Sequence, residues 1–291
     1  MGSEFQIPPT LRQAQGERIW DILPICIDPA YSARMPLHQT PVAKPKLFAP
    51  ARDAHKYSRG MVVVVAGEMP GAAMLAAEAA MRLAGYVALV AGSAGGPHAL
   101  VRKMWDDVAA DPRVGALLIG PGLGLSSESR NKLAAALASD HALVLDGDAL
   151  TMLADTGAIG SKKRERPVIL TPHSGEFARV FPTLAGNKED QARSAAKASG
   201  ATVIFKGAHT IIASPNGNIA TSSDASSWLA SAGTGDVLAG IVAGLLSTGL
   251  ASMEAACAAV WLHGECARLV GPALIADDLV RVLPRAIGNC L

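Results

Sequence analysis

Two glycines, a threonine and an aspartate stand together in the run Gly233-Thr234-Gly235-Asp236, directly before an apolar stretch from Val237 to Leu246. A glycine-rich turn that opens a helix points backbone N–H groups and the positive end of the helix dipole at one place, which suits a phosphate. A carboxylate repels such a ligand unless it has a chemical role, and accepting the proton of a hydroxyl that attacks phosphorus is such a role. An aspartate that caps its own helix is the structural alternative. The motif alone leaves both interpretations open.

Four further clusters of glycine and polar residues each follow a predicted strand. They are Gly120-Pro121-Gly122-Leu123-Gly124, Asp146-Gly147-Asp148-Ala149-Leu150, Thr171-Pro172-His173-Ser174-Gly175-Glu176-Phe177 and Lys206-Gly207-Ala208-His209-Thr210. Each one alone is an ordinary turn sequence, because strand ends favour Gly, Pro and Asp. In a parallel sheet, however, ligands bind outside the carboxyl ends of the strands. Five clusters at one edge, counting the glycine-aspartate motif, therefore predict a binding site there.

Two positions near these clusters have a chemical and a structural interpretation side by side. Lys206 with Gly207 would offer a cation and a close backbone approach to phosphates, while a lysine at a surface turn is an equal alternative. Trp228 and Leu229, just before the glycine-aspartate motif, could pack on a flat ring of a ligand. A plain core anchor is the favoured interpretation of that pair.

The glycines match neither of the common nucleotide-binding fingerprints. Counted from Gly120 or Gly122, the third glycine of G-x-G-x-x-G falls on Leu125 or Ser127, and the sequence contains no G-x-x-x-x-G-K-[ST]. These mismatches disfavour a Rossmann dehydrogenase and a P-loop enzyme. No H-E-x-x-H or similar spacing joins the histidines and acidic residues, so we predict no dedicated metal site. A magnesium ion held mainly by nucleotide phosphates stays open, because Mg²⁺ retains most of its waters.

Strand patterns alternate with helix patterns from residue 61 onward. The predicted strands are Met61–Ala66, Tyr86–Ala91, Ala116–Ile119, Ala142–Leu145, Val168–Leu170 and Thr202–Phe205, followed by a hairpin of Thr210–Ala213 and Asn218–Thr221. The predicted helices are Ala72–Leu83, Pro97–Ala109, Ser127–Ser139 with Ser126 or Ser127 as its cap, one near Gly235, Met253–Leu269 and Ala276–Ala286. This alternation predicts an α/β fold of three layers, α/β/α, in which helices cover both faces of a mostly parallel central sheet.

The first fifty residues differ from the rest of the chain, because they carry eight prolines and no sustained periodicity. Met1–Phe5 is typical of a cloning remnant. We therefore predict residues 1–50 as that remnant and an extended leader, and residues 51–291 as one domain.

Composition excludes several classes of partner. The 291 residues carry 26 basic and 25 acidic side chains, a formal net charge of +1, so no overall field attracts nucleic acid or a membrane surface. The longest apolar stretch, from Val237 to Leu250, is interrupted by glycines and fits a core helix better than a membrane span. The four cysteines show no C-x-x-C spacing and suit a reducing compartment. We predict a cytoplasmic protein with small-molecule partners, no nucleic acid and no membrane.

The order of the motifs resembles a known family. The motifs are G-E-M-P-G-A-A from Gly67, G-P-G-L-G, L-D-x-D-A-L, T-P-H-x-G-E-F, F-K-G-x-x-T and S-A-G-T-G-D-V-L-A-G. G-T-G-D alone indicates only the ribokinase-like superfamily, whereas the full ordered set resembles its ADP-dependent NAD(P)H-hydrate dehydratases. The resemblance extends from about His55 to about Leu283 and implies a ribokinase-like fold.

The resemblance also implies a repair reaction. NADH or NADPH that has taken up water at the nicotinamide 6-position would be dehydrated at the expense of ADP, or of ATP as in eukaryotic members, with Mg²⁺. A hydroxyl is a poor leaving group, and its phosphorylation makes a good one. Many members assemble as tetramers, so a homo-oligomer is implied, and some carry a separate epimerase domain before this one.

Residue roles follow from the matching motif positions. The resemblance implies Asp236 as the catalytic base and implies contacts to the hydrated dinucleotide from Ala72, Gly122, Gly124, His173 and Asp236. It implies that the adenine nucleotide is held by Lys206, Gly207, Ala208, His209, Thr210, Gly233, Thr234 and Gly235. Departures from the family pattern are Gly147, Ser174 and the lead-in at 224–230, which bear on loop rigidity and on contacts near the nucleotide.

Two other functions fit the same residues in part. A ribokinase-like kinase for a small alcohol, such as a thiazole or pyrimidine vitamin precursor, would share the glycine-aspartate loop. A nucleotide-binding module without turnover is the alternative outside enzymes, but it has no need of Asp236, His173 and Lys206 together.

Overall fold

One ten-stranded sheet forms the centre of the computed structural model, which describes residues 39–91, 95–156, 164–223 and 225–291. Its strands are β1 (Gln39–Pro41), β2 (Met61–Val65), β3 (Tyr86–Val90), β4 (Val101–Lys103), β5 (Ala116–Ile119), β6 (Leu143–Leu145), β7 (Val168–Leu170), β8 (Thr202–Phe205), β9 (Thr210–Ala213) and β10 (Ile219–Ser222). Their order in the sheet is β1-β10-β9-β8-β7-β6-β5-β2-β3-β4. Residues 1–38 of the predicted leader lie outside the described residues, and so does Asp224, the first residue of the lead-in at 224–230.

Most neighbouring strands run parallel. The six pairs from β8 through β7, β6, β5, β2 and β3 to β4 are all parallel, and only β9 pairs antiparallel, with both β8 and β10. The β9–β10 pair is the predicted hairpin, with its second strand one residue later than expected. The predicted mostly parallel sheet is confirmed. Its consequence is that β8, β7, β6, β5 and β2 present their C-terminal ends at one edge.

Within the described residues, eight α-helices cover the sheet. They are α1 (Pro70–Met81), α2 (Ser127–Ala138), α3 (Gly147–Thr156), α4 (Ser174–Val180), α5 (Lys188–Ser199), α6 (Thr234–Ser247), α7 (Ser252–Val270) and α8 (Ala276–Gly288). Ser126 caps α2, because its side chain accepts a hydrogen bond from the Ser129 N–H at 3.3 Å.

Two apolar cores separate the layers. Val62 and Val64 of β2 belong to the core formed with α1, α6, α7 and α8, whereas Met61, Val63 and Val65 belong to the core formed with α2, α3, α4 and α5. Such alternation is what a strand buried on both faces requires. The predicted three-layer α/β/α arrangement is therefore confirmed.

Part of the predicted leader contributes to this fold. Strand β1 pairs parallel with β10, and beyond it the Val42 N–H donates to the Thr221 carbonyl at 2.8 Å. Leu47 packs against the first core and its N–H donates to the Cys290 carbonyl at 2.9 Å. The sheet thus begins before residue 51, and the boundary at that residue stays a prediction.

The predicted helix Pro97–Ala109 is wrong. Its middle forms the edge strand β4, in which Val101 pairs with Ala88. After this strand the Asp107 carboxylate accepts a hydrogen bond from the Met104 N–H at 3.2 Å. Local side-chain to backbone bonds of this kind compete with helix formation and favour turns. Trp105 and Val108 are buried within those turns.

In the described part of the chain, no helix combines the length and the apolar character that crossing a membrane requires. The long apolar run after residue 236 is α6, and most of its side chains are buried against other helices and the sheet.

Helix α6 lies unusually close to α1, which gives a test of the packing. A Cβ atom added at Gly240 would lie 2.1 Å from the Ala76 carbonyl oxygen. We expect Gly240→Ala to destabilise the protein by about 1–3 kcal/mol, because overpacking outweighs the gain in helix propensity. Urea denaturation measures the change in free energy of unfolding.

Gly264→Ala is the matched control, since Gly264 lies inside helix α7 with open space at its Cβ position. That substitution should leave stability unchanged or raise it by up to about 1 kcal/mol. Equal effects of the two substitutions would contradict the close packing of α1 on α6.

Candidate active site

The C-terminal ends of four parallel strands carry most of the predicted site. Asp146 directly follows β6, Thr171 follows β7, Lys206 follows β8 and Gly120 follows β5. Because these strands are neighbours in the sheet, residues far apart in sequence meet at one edge.

Helix α6 begins at this edge in the way that the sequence predicts. Gly233 is its N-cap residue, with a φ of +85° that favours glycine. The Thr234 hydroxyl donates to the carbonyl oxygens of Leu229 (2.7 Å) and Ser231 (2.9 Å), which ties the turn to the helix. Asp236 lies in the first turn, and α6 has no side-chain cap. The alternative in which this aspartate caps its own helix is therefore wrong.

The carboxyl group of Asp236 is easier to protonate than an ordinary aspartate. Burial, followed by the nearby charge of Asp146, raises its pKa to about 6, although Lys206 acts in the opposite direction. A carboxylate with this pKa is still ionised at neutral pH, and it is a stronger base than a solvated one. The group is therefore suited to accept a proton.

Lys206 lies at the centre of the acidic residues. Its Nζ contacts Asp146 Oδ1 at 2.8 Å and Glu176 Oε2 at 3.9 Å. A Cβ added at Gly235 would lie 3.3 Å from the same Nζ, so the ammonium group also adjoins the first turn of α6. Burial disfavours the charged form, but Asp146 and Glu176 outweigh it and raise the pKa of Lys206. The group is a fixed cation beside the predicted phosphate position.

Each acidic partner of Lys206 is itself held in place. Asp146 is almost fully buried, and its Oδ1 also accepts a hydrogen bond from the Thr171 hydroxyl at 2.7 Å. Glu176 Oε2 accepts from the His173 N–H at 2.8 Å. Burial raises the pKa of Glu176, while Lys206 opposes that change.

His173 has a structural role that its sequence motif does not reveal. It is the N-cap of α4, and its Nδ1 accepts hydrogen bonds from the N–H groups of Gly175 (2.9 Å) and Glu176 (3.3 Å). Its Nε2 lies 3.5 Å from Glu176 Oε1, and about half of the side chain is exposed. The histidine is thus oriented by its own helix, next to the carboxylate that contacts Lys206.

The other predicted substrate contacts adjoin one another. Gly122 has a φ of +58°, and a Cβ there would lie 3.0 Å from the Ala72 Cβ. The Met69 N–H donates to the Gly122 carbonyl at 2.9 Å. The Gly124 N–H donates to Asp148 Oδ2 at 2.8 Å. Ala72 and Gly122 therefore lie together at the N-terminus of α1, and Gly124 lies beside α3, but Gly122 and Gly124 are buried.

The predicted nucleotide-binding residues from Lys206 to Thr210 form the connection from β8 to β9. Gly207, Ala208 and His209 are exposed, whereas Thr210 is buried and its hydroxyl donates to the Gly207 carbonyl at 2.9 Å. His209 Nε2 lies 3.4 Å from Glu189 Oε1. The connection therefore offers accessible backbone beside Lys206.

A cleft of about 450 Å³ opens next to the glycine-aspartate turn. It is lined by Ser227, Trp228, Ala230, Ser231, Ala273 and Leu274. Trp228 is 49% exposed, so the prediction of a core anchor is wrong for this residue. An exposed indole in a cleft presents a flat apolar face to a ligand.

Residues to which the sequence analysis assigns no role complete the site. Asp146 and Glu176 stand in two of the strand-end clusters, and the signal for their role was their position there. His263 lies within the apolar helix α7, where no sequence signal distinguishes it. Its Nε2 is 2.9 Å from the Thr234 carbonyl oxygen, so this nitrogen donates the hydrogen bond to the first turn of α6.

The carboxylates of the site bear on metal binding. Among the described residues, no group of three or more His, Cys, Asp or Glu side chains is arranged to hold a metal ion. Asp146 and Glu176 are nevertheless two carboxylates at the predicted phosphate position, and oxygen ligands of this kind suit Mg²⁺ that keeps its other ligands from phosphates and water.

Comparison with known families identifies a relative for most of the chain. A family model described as NAD(P)H-hydrate dehydratase matches residues 62–285. The bifunctional NAD(P)H-hydrate repair enzyme of Mycobacterium tuberculosis is 39% identical over 244 residues, which are 81% of this chain and 50% of that protein. The chain thus spans about half the length of the bifunctional relatives that it matches.

Shorter relatives match along most of their length. The ADP-dependent (S)-NAD(P)H-hydrate dehydratase of Neisseria meningitidis is 37% identical over 260 residues, 82% of this chain and 86% of that protein. The ADP/ATP-dependent NAD(P)H-hydrate dehydratase of Bacillus subtilis, co-crystallised with ATP/Mg²⁺, is a structural neighbour with a TM-score of 0.72 and 29% identity. The alignment covers 84% of this chain and 95% of that one.

The buried His263 makes stability depend on pH. Burial lowers its pKa from 6.5 to about 4, so the unfolded chain takes up a proton before the folded one does as pH falls. Stability should therefore decline between pH 6.5 and pH 4. Between pH 7 and pH 5 this histidine accounts for a loss of about 2 kcal/mol.

His263→Gln isolates this effect, since glutamine keeps an N–H donor but does not titrate. We expect urea denaturation to show a smaller loss for the variant than for the wild type on going from pH 7 to pH 5. The difference between the two proteins removes the contributions of carboxylates such as Asp236. Identical pH dependence would show that His263 is not buried as a neutral group.

Proposed function

The chain belongs to the NAD(P)H-hydrate dehydratase family, and from this premise we propose that it restores NADH and NADPH from their hydrates at the expense of an adenine nucleotide. The proposed enzyme is a carbon–oxygen lyase that first phosphorylates the 6-hydroxyl of the hydrated ring and then eliminates phosphate. The observation that carries the proposal is a carboxylate with a raised pKa, Asp236, at a helix N-terminus beside a paired lysine.

Proton removal and phosphoryl transfer form the first step. Asp236 accepts the proton of the 6-hydroxyl while the hydroxyl oxygen bonds to the terminal phosphorus of the nucleotide. The bond from that phosphorus to the bridging oxygen breaks, and AMP is the leaving group when the nucleotide is ADP. The N–H groups of Gly233, Thr234 and Gly235, with the Lys206 ammonium, stabilise the negative charge of the transferred group.

Elimination completes the reaction. The bond between ring carbon 6 and the phosphorylated oxygen breaks, and phosphate leaves with the electron pair. The neighbouring ring carbon loses a proton to water, so that the carbon–carbon double bond of the dihydronicotinamide forms again. Phosphate is a far better leaving group than hydroxide, which is the reason that nucleotide is consumed.

Magnesium fits this site as a companion of the nucleotide. Asp146 and Glu176 are the carboxylates that would hold it, with the remaining ligands from phosphates and water. When bound there, the ion would neutralise phosphate charge. The protein's own contribution is to pair those two carboxylates with Lys206, at 2.8 and 3.9 Å, which offsets their negative charge near Asp236.

We assign one side of the site to the hydrated dinucleotide and the other to the adenine nucleotide. Ala72, Gly122, Gly124 and His173 contact the hydrated dinucleotide. Lys206 to Thr210 and the turn Gly233–Gly235 hold the phosphates and sugar of the nucleotide. The cleft lined by Trp228 and Ser231 receives the base, because it adjoins that turn and offers an aromatic face.

The proposal also includes the oligomeric state, the compartment and the catalytic domain of the enzyme. We expect a homo-oligomer, such as a tetramer, in the cytoplasm, with residues 51–291 as the catalytic domain. Light scattering gives the oligomeric state, and a monomer would contradict that expectation.

Incubation of hydrated NADH with ADP and Mg²⁺ tests the function. Recovery of the NADH absorbance band together with inorganic phosphate is expected for the wild type. Asp236→Asn should lower the rate ~10²–10⁴-fold and keep nucleotide binding, because a general base contributes about that much. A stable phosphorylated product would instead indicate a kinase of the same fold, and no turnover at all would contradict an enzymatic role.

The raised pKa of Asp236 predicts the pH dependence of the rate. Its pKa is raised to about 6, so the base is ionised above that pH and protonated below it. We expect kcat/KM for hydrated NADH to be constant above about pH 7 and to fall about tenfold per pH unit below pH 6. Initial rates from pH 5 to pH 8 measure this, and a rate that stays constant down to pH 5 would argue against Asp236 as the base.

The indole of Trp228 predicts a contribution to nucleotide affinity. Trp228→Ala should weaken ADP binding roughly 5- to 150-fold, since stacking of a base on an aromatic ring contributes ~1–3 kcal/mol. Trp228→Phe, which keeps an aromatic face, should retain most of the affinity. Calorimetric titration with ADP gives both values. Unchanged affinity in Trp228→Ala would place the base elsewhere.

A further inference from the structure

Lys188 is the first residue of helix α5 and lies outside every motif noted in the sequence. Its Nζ donates a hydrogen bond to the Lys206 carbonyl oxygen at 3.1 Å and another to the His209 carbonyl oxygen. These carbonyls stand near the two ends of the connection from Lys206 to Thr210. One ammonium group therefore joins both ends of the proposed nucleotide-binding segment.

The same ammonium group rests on an aromatic stack. Its Nζ lies 4.4 Å from the centroid of the Phe205 ring. Phe205 in turn stacks on Phe177 with a centroid distance of 3.9 Å and an angle of 3° between the rings. Phe177 belongs to α4, the helix that His173 caps. The stack thus links the helix on the substrate side to the segment on the nucleotide side.

The ammonium group of Lys188 is partly shielded from water by specific contacts. The residue is half-buried, and burial lowers its pKa, with Glu189 acting in the opposite direction. Two backbone carbonyls and a ring face replace part of its water shell. Backbone carbonyls and aromatic faces attract a cation but not an alkyl chain, so the contacts depend on the charge.

We propose that Lys188 is a positioning residue for nucleotide binding. Its ammonium group holds the carbonyl oxygens of Lys206 and His209, and so keeps the segment between them in the conformation that the nucleotide meets. Because Lys206 also carries the side chain that pairs with Asp146, the same bonds fix the backbone from which that side chain extends. The inference rests on the proposed function for the identity of the nucleotide.

Lys188→Met removes the charge while keeping the length of the side chain. We expect the Kd for ADP to rise at least ~10-fold, the cost of losing hydrogen bonds from a charged donor. The Kd for hydrated NADH should stay within about threefold, and KM for ADP should rise with little change in kcat. Lys197→Met, at an exposed lysine in the last turn of the same helix, controls for net charge and should behave as the wild type.

Chemical rescue tests whether an ammonium group at this position restores ADP affinity without the rest of the lysine side chain. A cavity of about 370 Å³, lined in part by Lys188, Phe177 and Phe205, opens at this position. In Lys188→Ala, methylammonium can enter that space and donate to the same carbonyls. Saturating restoration of ADP affinity by methylammonium, and none by tetramethylammonium, which lacks N–H donors, supports the proposal. Equal effects of the two ions contradict it.

A conservative variant and a measurement of unfolding control for loss of folding. Thermal unfolding without ligand is measured for each protein, and Lys188→Arg should remain folded and bind ADP within about fivefold of the wild type. If Lys188→Met is unfolded, the Arg variant and the amine rescue decide. ADP affinity in folded Lys188→Met or Lys188→Ala equal to that of the wild type overturns the inference.

The readouts separate this inference from the proposed function. If the wild type binds ADP and Lys188→Met does not, but hydrated NADH is never converted, the positioning role stands and the dehydratase proposal fails. If the wild type dehydrates the substrate and Lys188→Met binds ADP equally well, the dehydratase proposal stands and the positioning role fails.

Discussion

The site depends on one ammonium group, that of Lys206, placed among the carboxylates of Asp146, Glu176 and Asp236. Without that cation, three acidic groups in a partly buried space would repel one another and any phosphate nearby. With it, Asp146 and Glu176 are engaged at 2.8 and 3.9 Å, and the remaining charge sits on Asp236 at the positive end of a helix. The arrangement leaves one carboxylate, that of Asp236, in the position of the proposed base, in surroundings that still attract an anion.

Fold and chemistry share helix α6. Its first turn carries Asp236, and four residues later Gly240 packs against the backbone of α1, whose N-terminus adjoins Gly122. His263 supports the same first turn from below by donating to the Thr234 carbonyl. The position of the proposed base is thus determined by helix packing as well as by the loop that precedes it. In the role proposed for it, Lys188 does for the connection from β8 to β9 what His263 does for this turn.

The sequence was sufficient for the layers, the mostly parallel sheet and the gathering of the strand-end clusters at one edge, because the C-terminal ends of parallel neighbours must share an edge. It was insufficient where side-chain direction decides. Asp146 and Lys206 are 60 residues apart and meet only through the order of the strands, and the motif does not show that His173 caps its own helix. Pro97–Ala109 and Trp228 depend on local bonds and on exposure, which residue type alone does not determine.

The central claim is that the 6-hydroxyl oxygen becomes bonded to phosphorus before it leaves the ring. Hydrated NADH prepared with ¹⁸O in that hydroxyl tests it, with mass spectrometry of the inorganic phosphate released during conversion with ADP and Mg²⁺. The account predicts one ¹⁸O atom in each phosphate formed. Release of ¹⁸O as water, with phosphate that carries only oxygen from the nucleotide and the solvent, would contradict it.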